Sequence, residues 1–479
     1  MKTLLLFSLC ALSCAELFSA TVYRVDTIPE GDWSNPAIWN SSSVPADGDS
    51  VFLDKSGVVT NVTSDAAIRQ IEITSGALCV SSGTLGVSYR LLNYGGTLDI
   101  SGGSVKTSDA FNMGDSGRSD VSSDALLNVY GSANVTDSHW GILIGELSKN
   151  YNSTANFYGD STYSATKLKI GSTNDDAVGV STLNVYDRAK VEIGSGTGLA
   201  FEKNGVFNIY GSASVSVASK AFIGDNSGLS AAKMTVSDNA SLQLKSYTLV
   251  HDGAVLTAKG NAVMTFGDNF ILGTADDNDA SATTSGHLIL KDSATMVMNN
   301  RTLVMYGDDS TIELHGSNIK PADGLDSFTH CLGNTSKSST IGTGGTIKFV
   351  ADSEGISTFV ARYIEYNDEA AQTAYAIELD FTNFNPLDGA GEYSFAIISS
   401  INNWNGREAI IMQNYLNGAN EGDGLVSITK ANEADSYEFF LSDGGRTFNI
   451  AYTYVPEPAA YAAVFGALAL AFAAYRRRS

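Results

Sequence analysis

Along the middle of the chain, apolar and polar positions alternate in short runs, and the runs return with nearly the same spelling. "LLNVYGSANV" (126–135), "TANFYGDSTY" (154–163), "TLNVYDRAKV" (182–191) and "VFNIYGSASV" (206–215) are four copies of one unit. "KMTVSDNASL" (233–242), "VLTAKGNAVM" (255–264) and "LILKDSATMV" (288–297) are degenerate copies. Successive strand residues point to opposite faces. Leu127 and Val129 therefore share one face, and Asn128 and Tyr130 the other. Tyr130, Tyr158, Tyr186 and Tyr210 follow one another at 28, 28 and 24 residues. Each clear copy is trailed by an apolar-glycine step: Ile144-Gly145, Ile170-Gly171, Ile193-Gly194 and Ile223-Gly224.

The alternation has period two, with turn residues between segments and no helical spacing. Each unit holds about three short strands, too little to bury a core alone, whereas stacked units can. The pattern predicts one coil of a parallel β-helix per unit. Roughly ten to twelve coils fit the repeat region, a rod of about 50–60 Å at ~4.8 Å per coil. A β-sandwich is the alternative, and the regular return of one strand motif favours the solenoid. After residue 345 the rhythm is lost. Longer, more aromatic runs, among them "AYAIELDFTNF", "YSFAIISS", "EAIIMQNYL" and "RTFNIAYTYV", predict an antiparallel β domain covering the last coil.

Both ends read as addresses. "MKTLLLFSLCALSCAELFSA" has a lysine, an apolar core and small residues, the pattern of a secretory signal peptide. At the other end Pro456-Glu457-Pro458 forms a short extended motif. Ala459 to Tyr475 is free of charge and just long enough for a membrane span. Arg476, Arg477 and Arg478 would hold the span on the cytoplasmic side.

Composition narrows the partners. The chain has 479 residues, with 29 Lys and Arg against 52 Asp and Glu, a formal net charge of −23. Nucleic acid is excluded as an expected partner, because phosphate binding wants a basic surface. Cys10 and Cys14 lie in the leader. Cys79 and Cys331 remain, and they read as two separately buried thiols rather than a disulfide framework.

The tail resembles the PEP-CTERM sorting signal of Gram-negative bacteria, in its order of motif, apolar helix and basic end. That resemblance implies an exosortase-type membrane protease as partner and an exopolysaccharide-producing host. The repeats resemble autotransporter passenger regions. "GDWSNPAIWNSSSVPADGDSVFLD" (31–54), through Trp33, Trp39, Pro45, Gly48, Asp49 and Val51, is similar to a common opening of such regions. The tryptophans would plug the apolar mouth of the solenoid. A membrane β-barrel of the autotransporter kind is not expected, since one short apolar helix follows the last domain.

Many parallel β-helices act on polysaccharide, so paired carboxylates matter. Asp175-Asp176, Asp276-Asp277 and Asp308-Asp309 each sit among turn residues, where aspartate serves the backbone. His139, His251, His287, His315 and His330 are scattered, and only His251-Asp252 pairs a base with an orienting carboxylate. No cofactor or metal is expected. The tyrosine column, with Asn128, Asn156, Asn184 and Asn208 two positions earlier, reads first as a stabilising ladder. Stacking against sugar rings is the second use open to Tyr130, Tyr158, Tyr186 and Tyr210.

The expected fold class is therefore all-β. It is a right-handed parallel β-helix with a C-terminal antiparallel β domain and a single C-terminal transmembrane helix. The expected division is signal peptide 1–20, N-terminal cap 21–54, repeats 55–345, β domain 346–454 and sorting signal 455–479. The expected function is an exported structural or adhesive protein, held in the inner membrane by its tail, then processed and placed on the cell surface or in the matrix. Its expected ligand is exopolysaccharide or a cell-surface glycan. A β-helix lyase or glycosidase is the alternative.

Overall fold

The computed structural model describes residues 20–115, 120–146, 149–173, 176–224, 232–273, 284–298, 303–305, 309–315, 318–321, 345–353, 355–361, 376–400, 407–422 and 425–456, with 467, 470 and 475. The leader and Cys331 lie outside them, as do Glu457, Pro458 and Arg476–Arg478. So does the apolar span, apart from Ala467, Leu470 and Tyr475. No helix among the described residues is long and apolar enough to cross a membrane.

Among the described residues the chain is mostly β, dominated by two long parallel sheets of 15 and 21 strands. One turn of the chain shows how they arise. Ala125–Val129 lies in the 15-stranded sheet, Asn134–Asp137 and Ile142–Ile144 lie in the 21-stranded sheet, and Ser153–Phe157 returns to the first. The returning strand pairs in parallel with its predecessor, Ala125 opposite Ser153 and Val129 opposite Phe157. Each coil thus contributes to three ladders. The first is the 15-stranded sheet, and the second and third together make the 21-stranded one. They count as one sheet because Thr162–Ile170 and Lys190–Phe201 run through both. This arrangement is consistent with a parallel β-helix, and at ~4.8 Å per strand the first ladder extends about 65–70 Å.

The core follows from the alternation. Leu127, Val129, Val135, Ile142 and Ile144 of one coil are all buried, as are Ala155, Phe157, Leu168 and Ile170 of the next. Stacked parallel strands keep each inward position over the same position below. The rod therefore encloses continuous columns of aliphatic and phenylalanine side chains.

Past residue 345 the first ladder does not stop. Thr346–Val350, Ala376–Asp380 and Val426–Thr429 extend it in parallel register. Interleaved with them, Gly391–Ser400, Thr447–Tyr454 and Ser436–Ser442 pair antiparallel, and Phe359–Ala361 joins Gly391–Ser400 in parallel. One expectation is corrected here. "EAIIMQNYL" is not a strand but part of a helix, α1, Arg407–Glu421. Ile411, Met412 and Tyr415 are buried, with Leu416 and Ala419 packed beside them. That is helical spacing, which outweighs the local strand propensity of its isoleucines.

Candidate functional site

The structure brings the four repeat tyrosines together. Ring centroids of Tyr130 and Tyr158 lie 5.2 Å apart, of Tyr158 and Tyr186 4.9 Å, and of Tyr186 and Tyr210 5.2 Å. The planes diverge by no more than 12°. Beside them runs an amide ladder on the outer face of the first ladder. Asn208 Nδ2 donates to Asn184 Oδ1, Asn184 to Asn156 and Asn156 to Asn128, each at 2.9 Å, and Asn128 ends the chain on Asp99 Oδ1 at 2.8 Å. Register produces both: Asn128, Asn156, Asn184 and Asn208 are direct partners across successive strands.

The turn after each tyrosine explains why the rings stay aligned. The next residue adopts positive φ, as glycine in Gly131, Gly159 and Gly211 and as aspartate in Asp187; one coil beyond Tyr210, where Ser237 takes the tyrosine position, Asp238 does the same. Where aspartate occupies the position, its carboxylate accepts the N–H of the glycine one coil below: Gly159 to Asp187 and Gly211 to Asp238, both at 2.9 Å. Glycine tolerates this conformation freely, and aspartate, which visits it more readily than most residues, is held there by the bond from the neighbouring coil. In the ladder the tyrosine faces are turned toward one another. The central rings of Tyr158 and Tyr186 are flanked on both sides, which leaves their edges and hydroxyls for solvent.

The remaining expected residues fall in different places. Trp33 and Trp39 are buried in the first coil, edge to face at 4.9 Å, and Trp39 Nε1 donates to the Trp33 carbonyl at 2.9 Å. Beside them Arg24 is also buried. It donates to Thr60 Oγ1 at 3.0 Å and to the carbonyls of Ile28 and Val59 at 2.8 and 3.3 Å, and burial lowers its pKa. His251 and Asp252 do meet, Nδ1 to Oδ2 at 2.9 Å, but both side chains are almost completely enclosed. A polymer cannot reach a base held there. His139 is exposed, His287 bonds Thr311 Oγ1 at 2.9 Å with its pKa lowered by burial, and His315 contacts Glu313. His330, Asp175, Asp276, Asp277 and Asp308 lie outside the described residues. Cys79 is a free, half-buried thiol in the asparagine column, its pKa raised by burial and then by Asp99 and Glu30. No group of three His, Cys, Asp or Glu able to hold a metal occurs among the described residues.

One surface was not anticipated from the repeats. Where each coil turns from the second ladder into the third, a row of cations and aromatic rings stands on the corner. The guanidinium groups of Arg69 and Arg90 lie 5.0 and 4.7 Å from the Tyr89 ring centroid. Lys167 Nζ lies 6.0 Å from the Trp140 ring, and Lys220 Nζ 6.0 Å from that of Tyr247. Trp140 is 50% exposed. Asp109 sits within the row, bonded to Arg90 Nε and to His139 Nδ1, each at 3.2 Å. Backbone bonds fix the alignment: Tyr89 N–H to the Arg69 carbonyl at 2.8 Å, Trp140 N–H to that of Asp109 at 2.7 Å and Ala221 N–H to that of Tyr247 at 2.9 Å. A signal did exist. Ser88, Ser108, Ser138, Ser219 and Ser246 each precede a corner residue, so the row has its own repeat word, shorter and more varied than the tyrosine one.

Near the end of the folded body, Asp435 gathers three donors. Tyr452 Oη reaches it at 2.6 Å, Asn432 N–H at 2.9 Å and Val455 N–H at 2.7 Å. Val455, whose carbonyl in turn accepts from Asn432 Nδ2 at 3.0 Å, is the residue directly before Pro456.

No protein-family model matches the chain, and no curated protein matches it in sequence.

Proposed function

We propose that the chain is an exported, non-enzymatic protein of the cell envelope or extracellular matrix of a Gram-negative bacterium. It is a right-handed β-helical rod delivered behind a signal peptide and held by its tail in the inner membrane. An exosortase-type protease then acts near Pro456-Glu457-Pro458. The observation that carries the reading is the meeting of body and tail. The parallel first ladder runs on to Val426–Thr429, and the carboxylate of Asp435 ties the chain down at Val455, immediately before the motif. A processing enzyme would thus meet its motif at the edge of a finished body rather than inside it. The tyrosine and asparagine columns support a structural role, because their ring faces and amides are engaged with each other.

Intact-mass measurement tests this on protein expressed with an exosortase and recovered from inner membrane, surface and medium. A mature C-terminus close to Pro456–Pro458, found outside the inner membrane, is the expected result. An uncut tail confined to the inner membrane would refute the processing.

A further inference from the structure

We propose that the corner between the second and third ladders is a binding ridge for an acidic linear polysaccharide. Trp140 is its sugar-facing aromatic, and Arg69, Arg90, Lys167 and Lys220 are partners for the polymer's carboxylates. This deepens the reading of the chain as an exported rod and rests on it.

Three observations converge. First, the chain is strongly acidic overall, yet this corner carries the cations Arg69, Arg90, Lys167, Lys220 and Lys245 against the carboxylates of Asp49, Asp109 and Asp268; Arg90 and His139 contact Asp109, and backbone N–H groups donate to Asp49 and Asp268. Glu72 and Glu192 lie on the flanking ladders rather than on the corner. Second, aromatic side chains accompany the cations, and Trp140 is half exposed. An amphipathic ring left open beside a cation is suited to a ligand with both an apolar face and an anionic group. A uronic acid has both. Third, the row follows the coils, which advance about 4.8 Å at each step, with Gly198 standing between Lys167 and Lys220. That advance is close to one pyranose of an extended glycan. Duplex DNA presents a charge about every 1.7 Å, far denser than these cations, and the acidic remainder of the rod would repel it.

The tyrosine ladder is a poorer glycan surface, because its rings stack on one another. The corner rings Tyr89, Trp140 and Tyr247 carry cations instead.

Affinity electrophoresis of the full chain through gels containing polygalacturonate, dextran or duplex DNA tests the assignment. Retardation by polygalacturonate alone, weakening as salt is raised, is the expected result. Arg90→Glu with Lys167→Glu should weaken it by about tenfold or more. Trp140→Leu should weaken it without changing charge, and it serves as the second variant if the double mutant melts early. Lys233→Glu, an exposed change on the first ladder, should have no effect. Equal retardation by dextran, no retardation by polygalacturonate, or unchanged binding in both corner variants would overturn the ridge. Chromatography of the recovered polymer separates the two layers of the argument. Shortened chains would reveal an enzyme and overturn the reading of the rod, whereas the ridge stands or falls on the variants.

Discussion

The side-chain amide of Asn184 donates to the side-chain oxygen of Asn156 across 2.9 Å, and Asn156 in turn donates to Asn128. Asn156 is therefore a middle link, while Asn208 sits where the chain of amides begins. Asn156→Ala removes two bonds and strands an oxygen below and an amide above, at a cost of about 2–3 kcal/mol. Asn208→Ala removes one bond and should cost about 1 kcal/mol. Urea unfolding of both variants gives the comparison, and equal losses would show that the amides do not act as a chain.

Tyr158 has a ring neighbour on each side. Tyr158→Leu keeps most of the apolar area and loses both stacking contacts, an expected destabilisation of about 1–2 kcal/mol. Retardation by polygalacturonate should be unchanged in the same protein. A large loss of binding would move the glycan surface from the corner to the ladder.

Lys169 stands between Glu146 and Glu202 from the neighbouring coils, 2.9 Å from each. Burial opposes its charge, but the two carboxylates outweigh burial and raise its pKa above the ordinary 10.5. A raised pKa in the folded state contributes stability that is fully present below about pH 10.5 and is lost as pH climbs through the higher folded value. Thermal unfolding should thus show an alkaline fall in the wild type that Lys169→Met lacks. At neutral pH the variant should be weaker by about 1–2 kcal/mol, since two carboxylates are left facing each other.

Asp32 accepts from the Ser34 hydroxyl and from Thr63 Oγ1, both at 2.6 Å, and these bonds, with the Ser34 N–H, lower its pKa below 3.8. Its contribution is present above that value and fades as pH falls through the folded pKa. Amide exchange in the first coil should accelerate below pH 4 ahead of the central coils. Asp32→Asn should remove that acid step, and an unchanged profile would count against the assignment.

Much of the body was legible because a solenoid repeats its physics. The same alternation returns coil after coil, so one reading of Leu127, Asn128, Val129 and Tyr130 served for four coils. The asparagine and tyrosine columns could be named from spacing alone. Other features had no repetition to betray them. Arg24 occurs once, and only the fold gathers Thr60, Ile28 and Val59 around it. Tyr163 occupies an inward position that valine holds in the coils on either side, with its hydroxyl accepting the Ile142 N–H at 3.0 Å. The helix Arg407–Glu421 was hidden by the strand propensity of its isoleucines, although the adjacent Ile411 and Met412 with Tyr415 already carry helical spacing. The corner row was missed because the residue after its recurring serine changes from coil to coil, from Tyr89 to Asp109 to Lys220, so the repeat word shrinks to a single serine.

The coil-to-coil pairing also sets an order of events. Ala125–Val129 needs Ser153–Phe157, and Ser153–Phe157 needs Ser181–Val185, so each layer is completed by chain that follows within a few tens of residues. A protein built this way can fold progressively from its N-terminus. Each new layer settles on the one before and draws in the next stretch. Slippage backward would require melting a finished layer. The rod is in that sense assembled layer by layer, each finished layer serving as the template on which the next is laid.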